Sequence, residues 1–172
     1  MSLVAVRILG VDPGLNITGY GVLEVARDRI GVCEAGVVRG RTKRSLSQRL
    51  VEIRTGIADV IDTLKPDAMA IEQLYSNYKH PRTAILMGHA RGVICLTAAE
   101  AHLDVESYSA TQIKKVLTGN GRASKSQVQL AIRRELALTE IPDPPDVADA
   151  LAVALCHYYL RVRRTLVTQR PA

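Results

Sequence analysis

Four carboxylates stand where a chain could gather them around metal ions. Asp12 closes the first apolar run, Glu72 closes a later one, and Asp146 and Asp149 lie one helical turn apart near the C-terminus. Carboxylates at the tips of buried elements are costly unless a positive charge sits between them. Oxygen-only ligands suit Mg²⁺ or Mn²⁺, which keep part of their water shell and accept phosphate oxygens. Two such ions about 4 Å apart activate a water and stabilise the leaving oxygen of a phosphodiester. Each residue also has a plainer reading. Asp12-Pro13-Gly14 is an ordinary turn sequence. Asp146 is a potential helix N-cap, and Asp149 could complement the helix dipole. Glu72 is the hardest to explain otherwise, because it ends an apolar strand.

The elements that must position these groups follow from hydrophobic period. Residues 5–11, 17–25 and 30–38 read as strands separated by turn residues, an antiparallel meander. Leu46, Leu50, Ile53, Ile57, Val60 and Leu64 then recur at steps of three and four, which predicts a helix over 45–65, capped by Ser45 or Ser47 and stopped by Pro66. Residues 68–72 form a short buried strand, 73–80 a loop, and Pro81 opens a long helix to about His102. A strand at 104–108 precedes a helix capped by Ser109. Gly119-Asn120-Gly121 is a turn, Ser124 or Ser126 caps the next helix, and residues 137–145 are a Pro-rich connection. A last helix starts near Asp146 and is apolar on most sides until Arg161–Arg164. The order β-β-β-α-β-α-β-α-α-α predicts an α/β fold, one five-stranded mixed sheet flanked by helices. If the first strand and 68–72 are parallel neighbours, Asp12 and Glu72 share one sheet edge, where open α/β sheets place ligands. The spacing of Asp146 and Asp149 puts both on one face of the last helix.

The chain has 172 residues, a formal charge of +6 and a pI near 9.5. That length predicts a single domain over 1–164 and a flexible basic tail over 165–172. Without Trp or Phe, the core must be built from Leu, Ile, Val and Ala. No apolar stretch approaches the roughly 20 residues that span a membrane, and nothing resembles a signal peptide, so a cytoplasmic protein is expected. Cys33, Cys95 and Cys156 are odd in number and embedded in apolar segments, which predicts reduced, packed thiols. No Cys/His spacing suits structural zinc. Basic residues cluster at Arg39–Arg44, Lys79–Arg82, Lys114–Lys125 and Arg161–Arg164, either solvated faces or a footprint for nucleic acid.

These segments together carry a resemblance. Ile8-Leu9-Gly10-Val11-Asp12-Pro13-Gly14, Thr18-Gly19-Tyr20-Gly21-Val22, Ala70-Ile71-Glu72-Gln73, Gly88-His89-Ala90-Arg91-Gly92-Val93, Lys125-Ser126-Gln127-Val128 and Asp146-Val147-Ala148-Asp149-Ala150-Leu151-Ala152 closely resemble the bacterial RuvC family of Holliday junction resolvases, in the ribonuclease H-like superfamily. The resemblance implies a homodimer that binds a four-way DNA junction and nicks two strands of like polarity with Mg²⁺ or Mn²⁺, two ions per site. It implies that Asp12, Glu72, Asp146 and Asp149 are catalytic metal ligands. Some members carry His at the Asp146 position; Asp makes this site fully acidic. Partnership with the RuvA–RuvB branch-migration complex is also implied.

The resemblance extends to DNA contacts. The family tends to place an aromatic, more commonly Phe, where this chain has Tyr75, and its ring touches an unstacked base; a ring face is worth about 1–3 kcal/mol per stacked base. Lys114 and Lys125 match basic positions that the family uses near DNA, and Lys79 and Arg82 are further backbone-contact candidates. The stretch from Gly119 to Ser126 echoes a phosphate-binding loop only superficially, since Ser124 replaces its second glycine and no strand precedes it. His157 reads as a packed histidine, with a supporting role near the site as the alternative. The face of Ala84, Gly88 and Gly92 suits either core packing or a dimer contact. Rival readings are an actin-like ATPase or sugar-kinase domain, which shares the opening strand, turn and hairpin, and a non-catalytic junction-binding protein.

Overall fold

The computed structural model describes residues 5–26, 29–74 and 81–163. Three antiparallel strands open the fold: β1 (Val6–Asp12), β2 (Ile17–Ala26) and β3 (Arg29–Arg39). Helix α1 (Leu46–Leu64) leads to β4 (Ala68–Glu72), α2 (Pro81–Glu100) and β5 (Val105–Tyr108). Helices α3 (Ala110–Thr118), α4 (Lys125–Glu135) and α5 (Pro145–His157) follow, and a π-helical turn covers Tyr158–Val162. The sheet order is β3-β2-β1-β4-β5. β1 pairs antiparallel with β2 and parallel with β4, which pairs parallel with β5. The expected five-stranded mixed sheet, and the parallel pairing of β1 with β4, are therefore present.

Strand alternation divides the core into two layers. Ile8, Leu23, Val25 and Ala70 face a cluster built mainly from α5, α3 and α4. Leu9, Val11, Val22, Met69 and Ile71 face α1 and α2. The helix boundaries follow local chemistry. Ser45 caps α1 and Ser124 caps α4, each in a reciprocal capping box with Gln48 or Gln127. Ser109 caps α3, which ends at Gly119 in the left-handed conformation.

Some expectations are corrected. Cys33 is exposed, because β3 is an edge strand; Cys95 is half-buried and Cys156 buried. Leu46 begins the α1 stripe but is exposed, at the first residue of the helix. Asp146 is not an N-cap: Pro144 holds that position and Asp146 lies in the first turn. The tail expected at 165–172 and the loop residues Tyr75 and Lys79 lie outside the described residues. No helix among the described residues is long and apolar enough to cross a membrane.

Candidate metal centre

The site is assembled by α5 lying flat on the sheet. Two glycines permit the approach. A Cβ on Gly10 of β1 would come within 2.2 Å of the Ala150 carbonyl oxygen, and one on Gly19 of β2 within 2.1 Å of the Asp146 carbonyl oxygen. Gly19 is the residue paired with Asp12. The helix N-terminus therefore rests on the strand pair whose other member carries the first carboxylate. The side chains of α5 from Ala150 to His157 are buried, whereas Asp146 and Asp149 keep partial access to solvent.

Asp12 and Glu72 end adjacent parallel strands, as the sequence predicts. Burial, then repulsion from Glu72, Asp149 and Asp146, pushes the Asp12 carboxyl up to about 7. Burial and Asp149 raise Glu72, opposed by Lys114 and Lys125. Lys125 donates to Asp149 Oδ2 at 2.8 Å. That hydrogen bond is the main cause of its raised pKa, and attraction to Asp149, Asp12 and Asp146 adds to it. All four acidic residues thus act on one electrostatic centre, which Lys114 and Lys125 face. Among the described residues no three acidic, histidine or cysteine side chains converge closely enough to hold one ion as they are disposed here.

The carboxylates line adjoining clefts. Asp12 and Glu72 border a cavity of about 460 Å³ with Ser109 and Thr111. Glu72 and Asp149 border one of about 240 Å³ with Lys114 and Lys125. Asp146 borders a third with Asn16 and Arg49. The sequence-predicted Lys114 and Lys125 are therefore at the site, and Arg82 is exposed at the start of α2. His157 is 5 % exposed, and its Nδ1 lies 2.9 Å from the Tyr108 hydroxyl. It is the packed histidine of the plainer reading, and burial lowers its pKa. Sequence reasoning missed Arg49, hydrogen-bonded to Asn16, and Arg91, which reaches the end of β4. A signal existed for Arg91: it is a charge within the otherwise apolar middle of α2. Arg49 carried none.

Comparison with known proteins agrees with this geometry. The family model for crossover junction endodeoxyribonuclease RuvC matches residues 8–157. The chain belongs to the RuvC family. A RuvC from Rhodopirellula baltica is 56 % identical over 153 residues, covering 89 % of this chain and 86 % of that protein. One from Heliobacterium modesticaldum is 48 % identical over 149 residues, covering 87 % and 91 %. The solved Thermus thermophilus RuvC in complex with Holliday junction substrate is similar with a TM-score of 0.85 at 32 % identity, covering 92 % of this chain and 96 % of that one. The yeast mitochondrial resolvase Ydc2 shares the fold, with a TM-score of 0.65 at 14 % identity. This RuvC fold places the four acidic residues at the carboxyl ends of β1 and β4 and the amino end of α5.

Proposed function

We propose that this chain resolves Holliday junctions as a metal-dependent crossover junction endodeoxyribonuclease, making paired symmetric nicks during recombination and repair. The observation that carries the reading is the common field of Asp12, Glu72, Asp146 and Asp149 at one sheet edge, with Lys114 and Lys125 on its rim. Its match to the RuvC family over residues 8–157 supports the same activity and leaves the actin-like ATPase reading without support.

The donor set fits a hard divalent cation. It offers carboxylates without thiol or imidazole, and the raised Asp12 and Glu72 are groups whose crowding a dication relieves. Asp12, Glu72, Asp146 and Asp149 would hold Mg²⁺ or Mn²⁺, two ions per site. When bound, such ions activate the attacking water and stabilise the leaving oxygen. The remaining work falls to the chain's own residues. Lys125 and Lys114 offset phosphate charge as the strand enters, and Lys125 exchanges its contact with Asp149 for one with DNA. Tyr75 stacks on an unpaired base, while Lys79 and Arg82 follow the backbone.

Two symmetric nicks call for two sites. Helix α2 turns Ala90, Ile94, Thr97 and Ala98 inward. Its other side exposes Ile85 and Leu96, at 64 % and 56 %, around Gly88 and Gly92, which have open space beside them. That smooth apolar face suits a second copy of the chain in a homodimer. The RuvA–RuvB complex is the proposed source of its junctions, and the cytoplasm its place of action. The test is a labelled four-way junction and matched duplex incubated with and without Mg²⁺ or Mn²⁺. Paired nicks in the junction alone are expected. Asp12→Asn and Glu72→Gln should abolish cleavage while binding survives, and retained cleavage by both defeats the assignment.

A further inference from the structure

We infer that Arg91 is the positioning residue for Glu72, holding the metal-facing end of β4 in place through the Glu72 backbone. The inference rests on the reading of Glu72 as a metal ligand. Backbone accounting at the strand end supplies the reason. Met69 N–H bonds to the Asp104 carbonyl and Gln73 N–H to the Tyr108 carbonyl, so these alternate residues point their amides at β5. Glu72 lies between them in phase and points its own amide and carbonyl toward β1. The β1–β4 register ends with Val11 opposite Ile71. Continued by one pair, it sets Glu72 opposite Asp12, and the next β1 residue is the one whose N–H a parallel ladder would offer to the Glu72 carbonyl. That residue is Pro13, which has no N–H. The carbonyl of the carboxylate-bearing residue is thus left without its ladder donor by the turn that carries Asp12.

Arg91 fills the vacancy from α2. Its Nε donates to the Glu72 carbonyl at 3.3 Å and its Nη2 to Ser107 Oγ at 2.7 Å. One half-buried guanidinium therefore ties together the ends of β4 and β5, each to α2. The planar fork of arginine serves two acceptors at fixed spacing, which a lysine ammonium does not. Without it, the end of β4 loses a charge-assisted bond, and the Glu72 carboxylate loses its fixed origin. Groups hydrogen-bonded to metal-ligating side chains typically govern affinity by about 10–100-fold, and Arg91 acts on the ligand's backbone instead.

The test is Mn²⁺ binding to the full chain by calorimetry, with junction affinity and the Mn²⁺ dependence of cleavage measured beside it. Arg91→Ala is expected to weaken Mn²⁺ binding about 10–100-fold and raise the metal needed for half-maximal cleavage, with junction affinity unchanged. Arg91→Lys should recover part of the loss, and Ser107→Ala should shift affinity the same way by less. Ile57→Val, a core truncation in the same layer, is the control for general loosening and should leave Mn²⁺ affinity alone. Wild-type Mn²⁺ affinity in Arg91→Ala, with binding lost in Glu72→Gln, overturns the inference. So does an equal shift in Ile57→Val. Should Arg91→Ala fail to fold, unchanged affinity in both Arg91→Lys and Ser107→Ala overturns it. Wild-type binding in Glu72→Gln overturns the ligand reading beneath it, a distinguishable result.

Discussion

The surroundings of Asp12 disfavour its charge. Its carboxyl is raised from 3.8 to about 7 by burial and by three neighbouring carboxylates, so the folded chain keeps a proton there that the unfolded chain releases. Between those two values the native state binds more protons, and stability therefore falls as pH rises from about 4 through about 7. Asp12→Asn removes the penalty. Without metal at pH 8 it should melt higher than wild type, by up to about 4 kcal/mol or roughly 10 °C, while nicking is lost. Added Mg²⁺ should raise the wild-type melting temperature and leave the variant nearly unmoved. A variant that melts lower at pH 8 contradicts the electrostatic account. Lys125 is the complement. Lys125→Met leaves the acidic centre without its facing ammonium and should slow nicking about 10-fold or more while weakening the salt dependence of junction binding, measurable by single-turnover cleavage and binding titrations.

At the level of elements, the approach of α5 to β1 and β2 determines whether the Asp146–Asp149 pair reaches the carboxylates of β1 and β4. The gap is set by glycine: a single methyl at Gly19 meets the Asp146 carbonyl oxygen at 2.1 Å. Backbone atoms cannot step aside as a flexible side chain does, so the helix must shift or tilt. Gly19→Ala should cost about 3 kcal/mol, read as a lower thermal midpoint, and should lose metal-dependent nicking in whatever fraction remains folded. Gly31→Ala is the matched control, because nothing lies within 4 Å of its added methyl. An active Gly19→Ala with wild-type stability would refute this picture of the helix seat. The helix itself was readable from its apolar run and the Asp pair. Its seat was not, because no residue of α5 records that two distant strands have glycines spaced to receive it.

The proposed homodimer adds a constraint that one chain does not meet. Symmetric nicks on two strands of like polarity call for two active sites in a fixed relation, and the exposed face of α2 is the proposed seam. Leu96→Glu places a charge at a side chain 56 % exposed in the isolated chain, so the fold should tolerate it. By sedimentation the variant should be a monomer, and on junctions it should yield single rather than paired nicks. A dimeric Leu96→Glu that still makes paired nicks removes α2 from the interface. The charge of +6 also acts over the full surface. Junction affinity should fall linearly in log–log terms with salt, the slope counting the phosphates neutralised.

Much of the architecture was written in local pattern. Strand alternation, the α1 stripe, Ser45, Ser109 and Ser124 at helix starts and Pro66 after α1 are interactions among residues a few positions apart, so sequence order suffices to see them. The acidic residues were legible for the same reason: Asp12 and Glu72 end apolar strands, and Asp146 and Asp149 lie one helical turn apart. What required the folded chain was every relation across distance. The exposure of Cys33 depended on β3 becoming an edge, the burial of His157 on Tyr108 arriving beside it, and the donor to the Glu72 carbonyl on Arg91 reaching across from α2. Packing joins residues that share no period and no motif, and it is there that the chain completes its site.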